Sequence, residues 1–155
     1  MEIGTAGLNL IKKEEGYMPK MYKCAAGKDT IGYGHVILPS EPHLRTALLT
    51  PAQALELLKK DITARYGAAV YAACTRKPTQ NQFDAMVSLA FNIGTAGFAK
   101  STVCRLHNAG TATPEMMRMA FGAWNKVTNP KTGVKAANAV LTRRRATETA
   151  LYLTR

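Results

Sequence analysis

The chain has 155 residues, 46% of them hydrophobic, with neither a single-residue tract nor an internal repeat, which excludes a disordered protein and a repeat array. Its 21 Lys and Arg against 10 Asp and Glu give a formal net charge of +11, so its electrostatic partners are polyanions: nucleic acid, anionic lipid or bacterial cell-wall polymer. A chain of this length buries roughly two thirds of its unfolded surface, enough for one compact core divided into two lobes.

The apolar run IGTAGLNLI has no basic start and too few apolar residues for a signal peptide or a membrane span, which predicts synthesis in a cytoplasm. Cys24, Cys74 and Cys104 are odd in number and lack metal-ligand spacing, so free thiols in a reducing compartment are expected.

In chain order, Thr5 is placed to cap a first helix with Leu8, Leu10 and Ile11 inward, stopped by Gly16. From Tyr17 to Ile37, Gly27, Gly32 and Gly34 punctuate the strand-like runs KMYK and TIGYG around a turn, AAGKD, which predicts a small antiparallel hairpin. Pro39, Ser40 and Pro42 belong to a loop. Thr50-Pro51-Ala52-Gln53 combines an N-cap, a proline at the first helical position and a capping-box glutamine. The helix it opens runs to about Ala73, with Leu55, Leu58, Ile62 and Tyr66 on one face, and joins the lobes.

Thr79-Gln80-Asn81-Gln82 repeats the capping signature ahead of Phe83, Met86, Val87, Ala90 and Phe91, the spacing of a core helix that ends at Asn92-Ile93-Gly94. A short helix from Ser101 to Asn108 precedes Gly110, and Thr113-Pro114 starts another holding Met117, Phe121 and Trp124. After turn signals in TNPKTG, a last helix is expected from about Ala136 to Leu153. From Lys126 to Arg155 there are seven Lys or Arg and one Glu; the consecutive Arg143, Arg144 and Arg145 read as a solvated helix face ahead of a binding patch. The fold class is α+β and mostly helical.

Glu14-Glu15-Gly16 ends the first helix, where the negative end of the dipole gives a carboxylate no stabilisation and a proton donor is at home. Glycoside hydrolysis needs such an acid on the leaving oxygen, and a second group to handle water on the other face of the sugar. Cys24 and Thr30 come from facing strands of one hairpin and border one cleft in that reading. Spacing alone favours a solvated helix end, a small turn residue and an ordinary strand threonine.

The string EGYMPKMYKCAAGKDTIGYGH resembles the catalytic segment of phage-type lysozymes, the endolysins of glycoside hydrolase family 24, in which Glu, eight residues, Asp or Cys, five residues and Thr form the catalytic set. LTPAQALELLKKD resembles that family's interlobe helix, while QNQFDAMVSLAFNIG with GFAKST, and AWNK with RRRATETAL, look like its helical lobe. The resemblance implies a two-lobed lysozyme-like fold in one catalytic domain over residues 1–155: a small lobe at about 15–50, an interlobe helix at about 51–73, and a helical lobe at about 75–155 with helix 5–15 packed on it.

It also implies a muramidase cutting the β-1,4 bond between N-acetylmuramic acid and N-acetylglucosamine, with no metal or organic cofactor. Glu15 would be the general acid, with Cys24 and Thr30 holding and activating water. Because an ordinary thiol titrates near pH 8.5, base, nucleophile and water-positioner all stay open for Cys24. Val36, Phe91, Asn92 and Ser101 match saccharide-lining positions, with a core role as good a reading for Phe91. His35 and Asp61 match a structural ion pair joining hairpin to helix. One departure is Ala123 before Trp124, where the family often has Arg, which leaves Trp124 as core.

The partner implied is peptidoglycan, met by a monomer released from the host cytoplasm through a holin-type lesion, with the basic last helix a candidate for contact with an anionic outer membrane. A lytic transglycosylase would give anhydro products, and a cell-wall-binding module would bind sacculi without releasing reducing ends. No docking motif for nucleic acid is present.

Overall fold

A computed structural model describes residues 1–24 and 26–154. Ala25, in the turn expected over AAGKD, and Arg155, at the end of the helical lobe, lie outside the described residues.

The first helix, α1 (Thr5–Glu15), is capped differently from expectation: Gly4 is the N-cap and makes no side-chain cap bond. The carboxylate of Asp84, from a distant helix, accepts the N–H of Gly4 at 2.9 Å and of Gly7 at 3.1 Å. A buried anion thus sits on the positive end of the α1 dipole. A Cβ on either glycine would fall 2.8 Å from that side chain, so their bareness is what lets the helix start approach it.

The small lobe is a three-stranded antiparallel sheet rather than a two-stranded hairpin: β1 (Met18–Lys23), β2 (Asp29–Gly32) and β3 (His35–Val36), with a bulge in β1 between Met18 and Tyr22. The Tyr33-Gly34 turn that the sequence reading placed inside a strand makes the third one, and Thr30 lies opposite both Tyr22 and Val36.

After a 3₁₀ turn (Pro42–Arg45), the interlobe helix opens as α2 (Pro51–Asp61) with the full Thr50/Gln53 capping box. It passes through a widened π-helical segment (Ile62–Gly67) and continues as α3 (Ala68–Ala73). The helical lobe follows as α4 (Gln80–Ile93), α5 (Thr95–Ala99), α6 (Thr102–Ala109), α7 (Pro114–Gly122) and α8 (Ala139–Leu153). Its centre is α4, buried continuously from Phe83 to Ala90; α1 and α8 pack with it, and α7 packs on α8. Leu58, Ile62, Val70, Phe98, Val103 and Phe121 complete the core.

Three features depart from the sequence reading. Helix α5 is additional. The TNPKTG turn lies inside a two-stranded ribbon, β4 (Lys126–Thr128) and β5 (Lys135–Ala137), so α8 starts at Ala139 under an Asn138 cap. Most of the arginine run is not a solvated face: Arg144 is 4% and Arg145 1% exposed, while Arg143 remains outside. An all-charged triplet at helical spacing reads as surface because burial of guanidinium groups requires acids elsewhere in the fold, and those partners are invisible locally.

Candidate active site

Glu15 is the last residue of α1, carried there by a helix whose start is tied to Asp84. Its Oε1 accepts a 2.8 Å hydrogen bond from Nη1 of Arg144. The same guanidinium donates through Nε to Glu148 Oε1 at 3.2 Å and through Nη2 to the Ser88 carbonyl at 3.3 Å. Every nitrogen of Arg144 is therefore committed, and the side chain has one geometry. Glu148 is fully buried, lies 3.0 Å from Nε of Arg145, and accepts the Ser88 hydroxyl at 2.7 Å. Arg145 in turn donates to Asn92 Oδ1 at 2.9 Å. One buried network of α4 and α8 side chains holds both Glu15 and Asn92.

Around Glu15 the surroundings are aromatic and glycine-lined. A Cβ on Gly34 would stand 3.3 Å from Glu15 Oε2 and 3.7 Å from Phe91 Cε1, so the bare turn between β2 and β3, at φ +83°, lets both the carboxylate and the ring approach the backbone there. Phe91 packs on Tyr66 with ring centroids 4.8 Å apart.

Cys24 follows β1, its backbone N–H bonded to the Lys28 carbonyl at 3.0 Å. The Lys28 backbone and the Thr30 hydroxyl, with the Ala26 backbone and the Lys28 charge, hold the thiol below its ordinary range despite desolvation. Thr30 is buried, and its hydroxyl also lies 3.0 Å from the Lys28 carbonyl. Burial pushes the Tyr22 phenol up, and the nearby Glu15 and Cys24 push it further. Tyr22, opposite Thr30 in the sheet, thus feels the charges of both Glu15 and Cys24.

Val36, opposite Thr30 in the sheet, borders the same side and is 36% exposed. Phe91 is half-buried and Asn92 exposed at the end of α4. Ser101 is 4% exposed, and its hydroxyl accepts the Cys104 N–H at 3.1 Å as the N-cap of α6. His35 Nδ1 lies 2.8 Å from Asp61 Oδ2, and Nε2 lies 2.9 Å from Glu41 Oε2. The bond to Asp61, helped by Glu41, raises the imidazole pKa despite burial. Sequence reasoning missed Glu41, Arg144, Arg145, Glu148 and Tyr22. For the C-terminal residues the one available signal was a lone glutamate at i+3 and i+4 from two arginines.

The phage lysozyme family model matches residues 12–148. The chain belongs to the phage lysozyme family. Membership makes it a glycoside hydrolase, and its solved neighbours share the α+β fold described above. It is 37% identical to the endolysin of Bacillus phage PZA over 98% of its own length but 55% of that relative's, so it spans about half of that protein. It is 35% identical to the endolysin of Salmonella phage P22 with 99% of each chain covered. The solved muramidase domain of SpmX from Asticaccaulis excentricus superposes with a TM-score of 0.87 at 36% identity, covering 99% of each chain. The lysozyme resemblance read from separate motifs thus extends over the whole chain.

Proposed function

We propose that the protein is an endolysin-type muramidase forming one catalytic domain, in which the small lobe at about 15–50 and the helical lobe at about 75–155, joined by the helix at about 51–73, flank the substrate. Glu15 gives its proton to the oxygen bridging N-acetylmuramic acid and N-acetylglucosamine as the C1–O bond breaks and its electron pair passes to that oxygen. Water adds to C1 and loses a proton to Cys24, while the Thr30 hydroxyl orients the water or the sulfur. The observation that carries this reading is the Glu15–Arg144 bond: a fully committed guanidinium aims the acid from behind and leaves Oε2 toward Gly34 and Phe91. The lowered pKa of the Cys24 thiol favours its acting as a base, in the place where the family carries Asp or Cys. Val36, Phe91 and Asn92 line the sugar path, and His35 with Asp61 fixes the sheet to the interlobe helix.

Peptidoglycan is anionic, and the exposed Lys126, Lys131, Lys135 and Arg143 carry the basic excess to it. The same charges, rather than Arg144 and Arg145, are the ones available to an anionic outer-membrane surface. The protein acts as a monomer that leaves the host cytoplasm through a holin-type lesion and lyses the cell at phage release. Reducing-end release and product mass from purified Gram-negative walls test the reading. Hydrated muropeptides from the wild type but not from Glu15→Gln support it, whereas anhydro products point to a lytic transglycosylase. Undiminished lysis by Glu15→Gln removes the assignment.

A further inference from the structure

The interlobe helix is not regular. From Ile62 to Gly67 it widens into a π-helical turn, a form found mostly as single turns and frequently at functional sites. Gly67 lets it close: a Cβ there would meet the Ile62 carbonyl oxygen at 3.0 Å and the Phe83 ring at 3.5 Å. At α-helical spacing Tyr66 would share the inward line of Leu58 and Ile62, each 1% exposed. In the wider turn it packs against the edge of the core instead of being enclosed by it. Tyr66 is half-buried, and its ring packs on Phe91, which adjoins Gly34 and through it Glu15.

Its polar end is equally informative. Among the described residues the Tyr66 hydroxyl has no hydrogen-bond partner, although burial pushes its pKa up. The Arg65 guanidinium lies 5.4 Å from the ring centroid, and the charges of Asp61 and Glu15 also reach the phenol. A half-buried ring with an unused donor beside the proposed proton donor is an arrangement suited to a ligand with both apolar ring faces and acceptor oxygens.

We propose that Tyr66 is a substrate-contacting residue, its ring extending the Phe91 surface against an N-acetylhexosamine and its phenol donating to an oxygen of that sugar. The proposal rests on the muramidase reading for the identity of the sugar. The widened turn is the device that delivers the side chain, and its position on the helix between the lobes makes sugar binding and interlobe geometry one event.

The test compares wild type, Tyr66→Phe, Tyr66→Ala and a deletion of Ala64, which shortens the turn by one residue. Each is assayed for kcat and KM on purified peptidoglycan and for Tm. Loss of one donor with the ring kept should leave the Tm of Tyr66→Phe unchanged and raise KM about three- to tenfold. Tyr66→Ala should lower kcat/KM by about a hundredfold or more, and the deletion should resemble it in KM. An unaltered KM in both substitutions, with Tyr66→Ala lowering only the Tm, overturns the proposal and makes the ring a packing residue. Should the wild type release no reducing ends, the muramidase reading falls separately. Titration with tri-N-acetylchitotriose followed by NMR then decides: movement of the Tyr66 ring resonances supports the contact, and their constancy overturns it.

Discussion

Arg144 Nη1 and Glu15 Oε1 are 2.8 Å apart across 129 positions of the chain, and the guanidinium that makes this bond is 4% exposed. The last helix therefore aims the carboxylate carried by the first. Replacing Arg144 by Met should lower kcat by about tenfold or more. It should also cost about 3 kcal/mol of stability, because Glu148 would keep its burial and lose one of two cations. Glu15→Gln should abolish turnover while retaining the Tm within a few degrees. Urea unfolding beside reducing-end assays separates the two effects.

Glu148→Gln should be among the most destabilising single changes in the helical lobe. It leaves two buried guanidinium groups facing a neutral amide, a loss of about 3–5 kcal/mol. Circular dichroism melts check this. A variant melting within about 2 °C of wild type would mean that the network contributes little to stability.

The Cys24 thiol is held below its ordinary range by the Lys28 backbone and the Thr30 hydroxyl. If it is the base, the rising limb of the pH–rate profile lies below that of a free thiol. Thr30→Val should move that limb upward, and Cys24→Asp should move it down to the carboxylate range with turnover retained. A limb that stays put in both variants would assign it to another group.

His35 titrates above its unfolded value because of Asp61 and Glu41. A raised folded pKa means the native state binds the proton more tightly, so this contribution is complete below about pH 6.5, the unfolded value, and disappears as pH rises through the folded one. Asp61→Asn should lower stability by about 1–3 kcal/mol at pH 5.5 and by less at pH 9. Urea midpoints at the two values measure it.

Gly34→Ala should impair both folding and activity. The position has φ +83°, and the added methyl would press on Glu15 Oε2 at 3.3 Å. A stable variant of full activity would show that the turn has room to move.

The helix starts were legible because they are local: both Thr-x-x-Gln boxes lie where the residues placed them, at Thr50 and Thr79. Glu15, Cys24 and Thr30 stand out as candidates only through spacing shared with a family. What escaped reading depends on partners far along the chain. Nothing near Gly4 announces Asp84, and nothing near Arg144 announces Glu15. The ribbon after Trp124 escaped because its strands have three residues each and every one is exposed, so no alternation marks them. The π-turn escaped because one extra residue leaves an apolar helical pattern almost unchanged.

The capping of α1 by Asp84 and the bond from Arg144 have a consequence for biosynthesis. As the polypeptide leaves the ribosome, residue 15 emerges early, but the groups that start its helix and steer its acid belong to α4 and α8. A nascent chain without its final helix holds a carboxylate with no guanidinium behind it. Contacts of such long sequence separation form late, so the Glu15–Arg144 arrangement exists only once translation has passed residue 144.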